Sequence, residues 1–175
     1  MDDCVYDTVK QIIKAQNQIA EERHHYIDCE QSIKQLLTPA KKNKHDYNTI
    51  PFILYTKDHF KPFIANGIYK APIEGYPGVT FFDLIETPFL KALDFVKGSD
   101  RCVRLELLRP VNANGFPVAD RGDKLSDFFH RETPFKTIFF RETGICITVD
   151  LNCFSGITCL DPIKPLPPYH KTQEE

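Results

Sequence analysis

The chain has 175 residues, 42% of them hydrophobic and 26% charged, with a formal net charge of -2. That length fits one folded domain with a sizeable core, and the near-neutral balance gives no electrostatic pull towards nucleic acid or an anionic membrane. No apolar run approaches the length of a membrane span, and the acidic start Met1-Asp2-Asp3-Cys4 lacks the basic-then-apolar order of a secretion signal, so synthesis in a cytoplasm without a signal peptide is expected.

Val5, Val9, Ile12, Ile13, Ile19 and Ala20 recur at helical spacing and predict an amphipathic helix over 4–22. A second helix fits 28–37, with Asp28 and Gln31 as a capping box, Ile33, Leu36 and Leu37 as its apolar stripe, and Thr38-Pro39 as its stop. Residues 1–37 therefore read as a helical arm. Residues 38–49, which include Lys41, Lys42 and Lys44, read as an exposed linker.

The character then changes. Short apolar or alternating runs predict strands over 50–56, 62–70, 79–86, 89–96 and 102–108, with Asn66-Gly67 marking a turn or bulge inside the second. Residues 110–134 carry little pattern beyond a possible helical turn at 125–129. Residues 135–141 and 144–151 read as a last hairpin turning at Glu142-Thr143-Gly144. In its second strand Ile145, Ile147, Val149 and Leu151 alternate with Cys146, Thr148 and Asp150, the clearest period of two in the chain. The first set is expected to be buried. Cys153 and Cys159, beyond that strand, are expected to be reachable from outside. Pro165, Pro167 and Pro168 make residues 164–175 a loose, proline-rich tail. The sum is a mainly β (α+β) chain: an antiparallel β-sandwich or barrel-like domain over 50–163, preceded by two N-terminal helices.

Few residues offer chemistry. Structural zinc needs close ligand pairs, but five residues separate Cys153 from Cys159, six separate Cys146 from Cys153, and His24-His25 before Cys29 is a poor half-site. A nucleophile would need Cys102 or Cys146 beside His59 or His130, and the sequence does not bring them together. Asp120, Asp123 and Asp127, mixed with Arg121 and Lys124, fit no Ca²⁺ loop and read as a solvated turn. The six cysteines are left with two meanings, thiols for assembly or small buried hydrophobes, and the residues alone leave both open.

Three strings carry a resemblance. Cys29-Glu-Gln-Ser-Ile-Lys-Gln-Leu-Leu-Thr-Pro39, Asn48-Thr-Ile-Pro-Phe-Ile-Leu-Tyr-Thr-Lys-Asp-His-Phe-Lys-Pro-Phe63 and the stretch from Thr143 to Ile163 resemble segments of Bacillus-type spore coat proteins Y and Z and the related exosporium protein ExsY. The resemblance implies a structural protein without catalysis or cofactor, made in the mother cell and placed at the spore surface in the outer coat or exosporium. It implies a homo-oligomer, cyclic and tiling into a two-dimensional lattice, that meets other coat or exosporium proteins. It makes Cys4, Cys29, Cys102, Cys146, Cys153 and Cys159 candidate cross-linking thiols, with Cys4 and the Cys153/Cys159 pair favoured. Thr56, Phe60 and Ser155 depart from the pattern, standing where cysteines are typical, so cross-linking in this member is expected to be sparser. The competing expectation is a small β-barrel metalloenzyme or ligand-binding protein.

Overall fold

The computed structural model of the chain describes residues 28–37, 47–73, 75–118, 121–129, 137 and 139–168. The expected helix over 4–22, the linker from 38 to 46 and Cys4 lie outside the described residues. The described chain is mainly β, with antiparallel sheets and one α-helix. Its elements are α1 (Cys29–Leu37), β1 (Phe52–Thr56), β2 (Ala65–Pro72), β3 (Thr80–Thr87), β4 (Leu90–Phe95), β5 (Cys102–Val111), β6 (Phe139–Asp150) and β7 (Phe154–Cys159). Two short 3₁₀ turns, η1 (Leu125–Phe128) and η2 (Leu151–Cys153), complete the list.

Five strands form one sheet in the order β6-β5-β4-β1-β7, and β2 and β3 form a separate hairpin. The sheet is not flat. Strands β6 and β7 stand at opposite ends of that order, four spacings apart, which in a flat sheet is about 19 Å. The three-residue η2 joins them directly, and even fully extended such a link spans only about 14 Å. The sheet must therefore roll up. The roll opens where β1 meets β4, because those strands share the single pair Phe52↔Leu90. All seven strands send side chains to one cluster inside the roll: Phe52 and Leu54, Ala65, Ile85, Leu90, Val103, Leu105 and Leu107, Ile145, Ile147 and Val149, and Cys159. A second cluster lies elsewhere, where Phe89, Leu108, Phe140 and Ile53 pack with Phe128 from η1.

Several strand expectations needed correction. The stretch read as a hairpin at Glu142-Thr143-Gly144 is one continuous strand, β6, carrying a bulge. Its register to β5 shifts between the pairs Glu106↔Cys146 and Leu108↔Glu142. Gly144 takes the positive φ of 72° the bulge requires. The displaced ladder groups are satisfied locally: Thr143 Oγ1 donates to Leu107 O at 2.6 Å, and the Gly144 N–H donates to Glu106 Oε1 at 2.9 Å. Asn66-Gly67 is no turn either, since β2 pairs with β3 without interruption from Ala65↔Thr87 to Pro72↔Thr80. Gly67 is there for closeness. A Cβ on it would sit 2.7 Å from Ile145 Cγ2 and 2.9 Å from Leu107 Cδ2, so only glycine lets the hairpin lie against the sheet.

Helix α1 starts as expected, with the Gln31 N–H donating to Asp28 Oδ1 at 2.7 Å. Its orientation differs. The face turned to the body carries Cys29 and Ser32, and Ser32 Oγ donates to Leu160 O at 2.8 Å. Ile33 and Leu37, two of the three residues of the expected stripe, are 49% and 75% exposed. At the other end of the chain, residues 164–168 run beside β6. Leu166 exchanges bonds with it: its N–H donates to Phe140 O and its carbonyl accepts from Glu142 N–H, both at 2.9 Å.

Candidate assembly surfaces and cysteine sites

The surface divides by character. On β4 to β6 several outward side chains are polar and paired, beside the exposed Leu93, Phe95 and Phe139. Arg104 holds Asp94 through two bonds of 2.7 and 2.6 Å, keeping that carboxyl below its ordinary range. Lys91 reaches Glu142 at 2.5 Å and Glu106 at 3.5 Å. Burial alone would pull the Lys91 ammonium down, but the bond to Glu142 and the two carboxylate charges outweigh it, and its pKa is raised.

The β2–β3 hairpin is different. Its base is buried through Ala65 and Ile85, whereas towards the tip Ile68, Tyr76, Val79, Phe81 and Phe82 are exposed, Phe82 to 71%. Strict pairing places Ile68 opposite Leu84 and Lys70 opposite Phe82, so these four share one face. The Lys70 ammonium lies 5.5 Å from the Phe82 ring centre. The other face is pinned to the body by polar links. Arg109 donates to Tyr69 Oη at 3.1 Å, and Tyr69 Oη donates to Asp83 Oδ2 at 3.0 Å. Asp83 is held below the usual carboxylate range, first by the Leu84 N–H and then by Tyr69. A two-stranded ribbon with aromatic side chains left in water is costly to keep unless something covers it.

The five described cysteines fall into separate settings. Cys29 and Cys159, separated by 130 positions in sequence, form a disulfide with their Cα atoms 4.8 Å apart. Closing so long a loop restricts the unfolded chain by on the order of 5 kcal/mol in the chain-entropy picture. Cys159 is 6% exposed and belongs to the core, which corrects the expectation that it is reachable. Cys102, Cys146 and Cys153 are free; the first is half-buried and the other two exposed. Cys146 stands on the outer face of β6 opposite Glu106. Partial desolvation and then the Glu106 charge push its thiol pKa up. Ile145, Ile147 and Val149 pack against the core as their alternation implies, while Leu151 leaves the strand for η2.

Three departures from the resemblance converge. Ser155 Oγ donates to Thr56 O at 3.1 Å, and the Phe60 N–H donates to the same carbonyl at 3.0 Å. The next residue, Lys57, donates its N–H to Cys153 O at 3.2 Å. Thr56, Phe60, Ser155 and Cys153 thus share one end of the β1–β7 ladder. Phe60 fills that corner. It adopts a φ of 48°, stacks on Tyr55 at 5.0 Å, and covers Gly156, where a Cβ would meet its ring at 3.0 Å. Nothing in the sequence pattern brings these positions together, because β7 is interrupted by Gly156 and does not read as a strand.

His24, His25, His45 and His130 lie outside the described residues. His59 is exposed in the turn after β1, and among the described residues no hydrogen bond joins it to Cys102 or Cys146. Among the described residues, no three His, Cys, Asp or Glu side chains gather as a metal-binding group. No described helix is long and apolar enough to cross a membrane.

Comparison with known proteins completes the picture. The family described as Spore coat protein Z matches residues 1–162. Spore coat protein Z of Bacillus subtilis (strain 168) is 28% identical over 159 residues, spanning 91% of this chain and 89% of that protein. No solved structure matches. The family match runs through α1, the whole rolled sheet, its hairpin and all six cysteines, and the chain belongs to the spore coat protein Z family.

Proposed function

We propose that this chain is a structural protein of the spore surface, in the outer coat or exosporium, which self-assembles into an ordered layer. In that reading it forms a homo-oligomer, cyclic and tiling into a lattice, and contacts other coat or exosporium proteins. It has no catalytic role and needs no cofactor. The rolled sheet with its hairpin serves as a rigid, sandwich-like tile. Membership of a spore coat family supports the location. The observation that carries the assembly reading is the hairpin, whose Ile68, Tyr76, Phe81 and Phe82 stand in solvent while its base is locked to the core. Isolated apolar side chains on a surface are ordinary, but several large ones on one rigid projection mark a contact site.

Disulfides between copies are assigned a supporting role, with packing as the main adhesive. Cys146 and Cys153 are the exposed free thiols among the described residues, and Cys4 remains a candidate from the sequence. Substituting Ile68 and Phe82 together by lysine tests the reading. The polar pair is expected to abolish large assemblies in sedimentation while circular dichroism stays that of the parent. Unchanged assembly by the doubly substituted chain would remove the hairpin from the interface.

A further inference from the structure

We propose that the Cys29–Cys159 bond is a redox-operated clasp that docks α1 onto the rolled sheet. The two sulfurs are not equivalent. Cys159 is fixed: it is buried, it closes the β1–β7 ladder opposite Phe52, and it packs in the main core. Cys29 is the movable half, partly exposed on the first turn of a nine-residue helix. A helix of that length does not persist alone in water, and among the described residues the disulfide is its one covalent tie to the sheet. Its buried side chain is Ser32, bonded to Leu160 O, whereas Ile33 and Leu37 point away from the body. Breaking the bond therefore releases α1 and leaves β7 in place.

The chemistry balances with a low-molecular-weight disulfide, RSSR, as oxidant. The Cys29 thiol, being the accessible one, loses its proton and attacks RSSR, forming a mixed disulfide and expelling one thiolate. The Cys159 thiol then loses its proton and attacks the Cys29 sulfur, forming the clasp and expelling the second thiolate. Two protein thiols become one disulfide, one RSSR becomes two RSH, and the two protons end on the released thiolates. In a reducing compartment the reaction runs backwards and α1 comes free. An oxidising surrounding closes it. Closure also withdraws two of the six cysteines from any bond between copies. The clasp does not depend on the assembly reading, since it lies within one copy.

Hydrogen–deuterium exchange on the full-length monomer tests it, with the chain held in excess dithiothreitol or in oxidised glutathione. Amides from Ser32 to Leu37 are expected to exchange at least about tenfold faster in the reduced chain, at labelling times too short for the global unfolding that exposes β1 to β7. Cys29→Ser should show fast exchange in α1 under both conditions. This is the informative variant, because Cys29 lies outside the buried core where Cys159→Ser would disturb packing. Alkylation followed by peptide mass mapping gives an independent reading, in which Cys29 and Cys159 are blocked in the oxidised monomer and both labelled after reduction. Equal α1 exchange in the two conditions overturns the proposal, as does labelling of Cys29 and Cys159 in the oxidised monomer.

Discussion

The Gly144 N–H donates to Glu106 Oε1 at 2.9 Å, so a side chain of β5 fills the gap that the β6 bulge opens in the ladder. The same Glu106 is 7% exposed and faces Lys91, which also holds Glu142. One lysine thus keeps two carboxylates together beside the glycine bulge. Gly144→Ala is expected to cost about 1 kcal/mol, because alanine tolerates a φ of 72° poorly. Lys91→Met should cost more, about 2–3 kcal/mol, since it strands a buried carboxylate against another. Denaturant unfolding of both variants measures the order.

The pH dependence of the Lys91 effect has a definite sign. Its folded pKa lies above the ordinary 10.5. A raised group contributes stability that is fully present below its unfolded value and lost as pH rises through the folded one. The stability gap between the parent and Lys91→Met should therefore stay flat through neutral pH and shrink only above pH 10.5. A gap that closes on the acid side, before the carboxylates titrate, would contradict the assignment.

Gly67 offers a packing test. Gly67→Val puts side-chain atoms where Ile145 and Leu107 already lie, within 2.9 Å of the ideal Cβ. The expected loss is about 2–3 kcal/mol, from overpacking. The melting temperature reads it directly, and a neutral result would mean that the hairpin does not lie against the sheet as described.

Thiol reactivity should distinguish the cysteines. The raised pKa of Cys146 lowers its thiolate fraction at neutral pH. Its alkylation is expected to be slower than that of an unstructured cysteine peptide and to accelerate with pH. Removing the neighbouring charge by Glu106→Gln should speed it. Returning cysteines to the exposed β1–β7 corner through Phe60→Cys and Ser155→Cys should increase reductant-sensitive multimers on non-reducing gels.

Much of the fold was legible because one-sided burial writes a period of two into β5 and β6. Val103, Leu105 and Leu107 meet Ile145, Ile147 and Val149 inside the roll, as their spacing implies. The failures have physical causes. Glu142-Thr143-Gly144 has the composition of a turn, and only the ladder on both sides makes it a bulge. Strand β7 hides behind Gly156, whose missing side chain is replaced by the Phe60 ring. The stripe of α1 misled because Ile33 and Leu37 face outward, while Cys29 and Ser32 make its contact to the body. Of the candidate site, the family strings pointed to cysteines as candidates only. They did not give the partnership of Cys29 with Cys159, which joins residues 130 positions apart.

Self-assembly into an ordered layer is the proposed role of this chain. Negative-stain electron microscopy of the purified full-length protein, paired with metal analysis of the same sample, tests it most directly. Rings or sheets with a repeating lattice and no stoichiometric metal are the expected result. Dispersed monomers at every concentration tried, or a metal-loaded monomer, would contradict it.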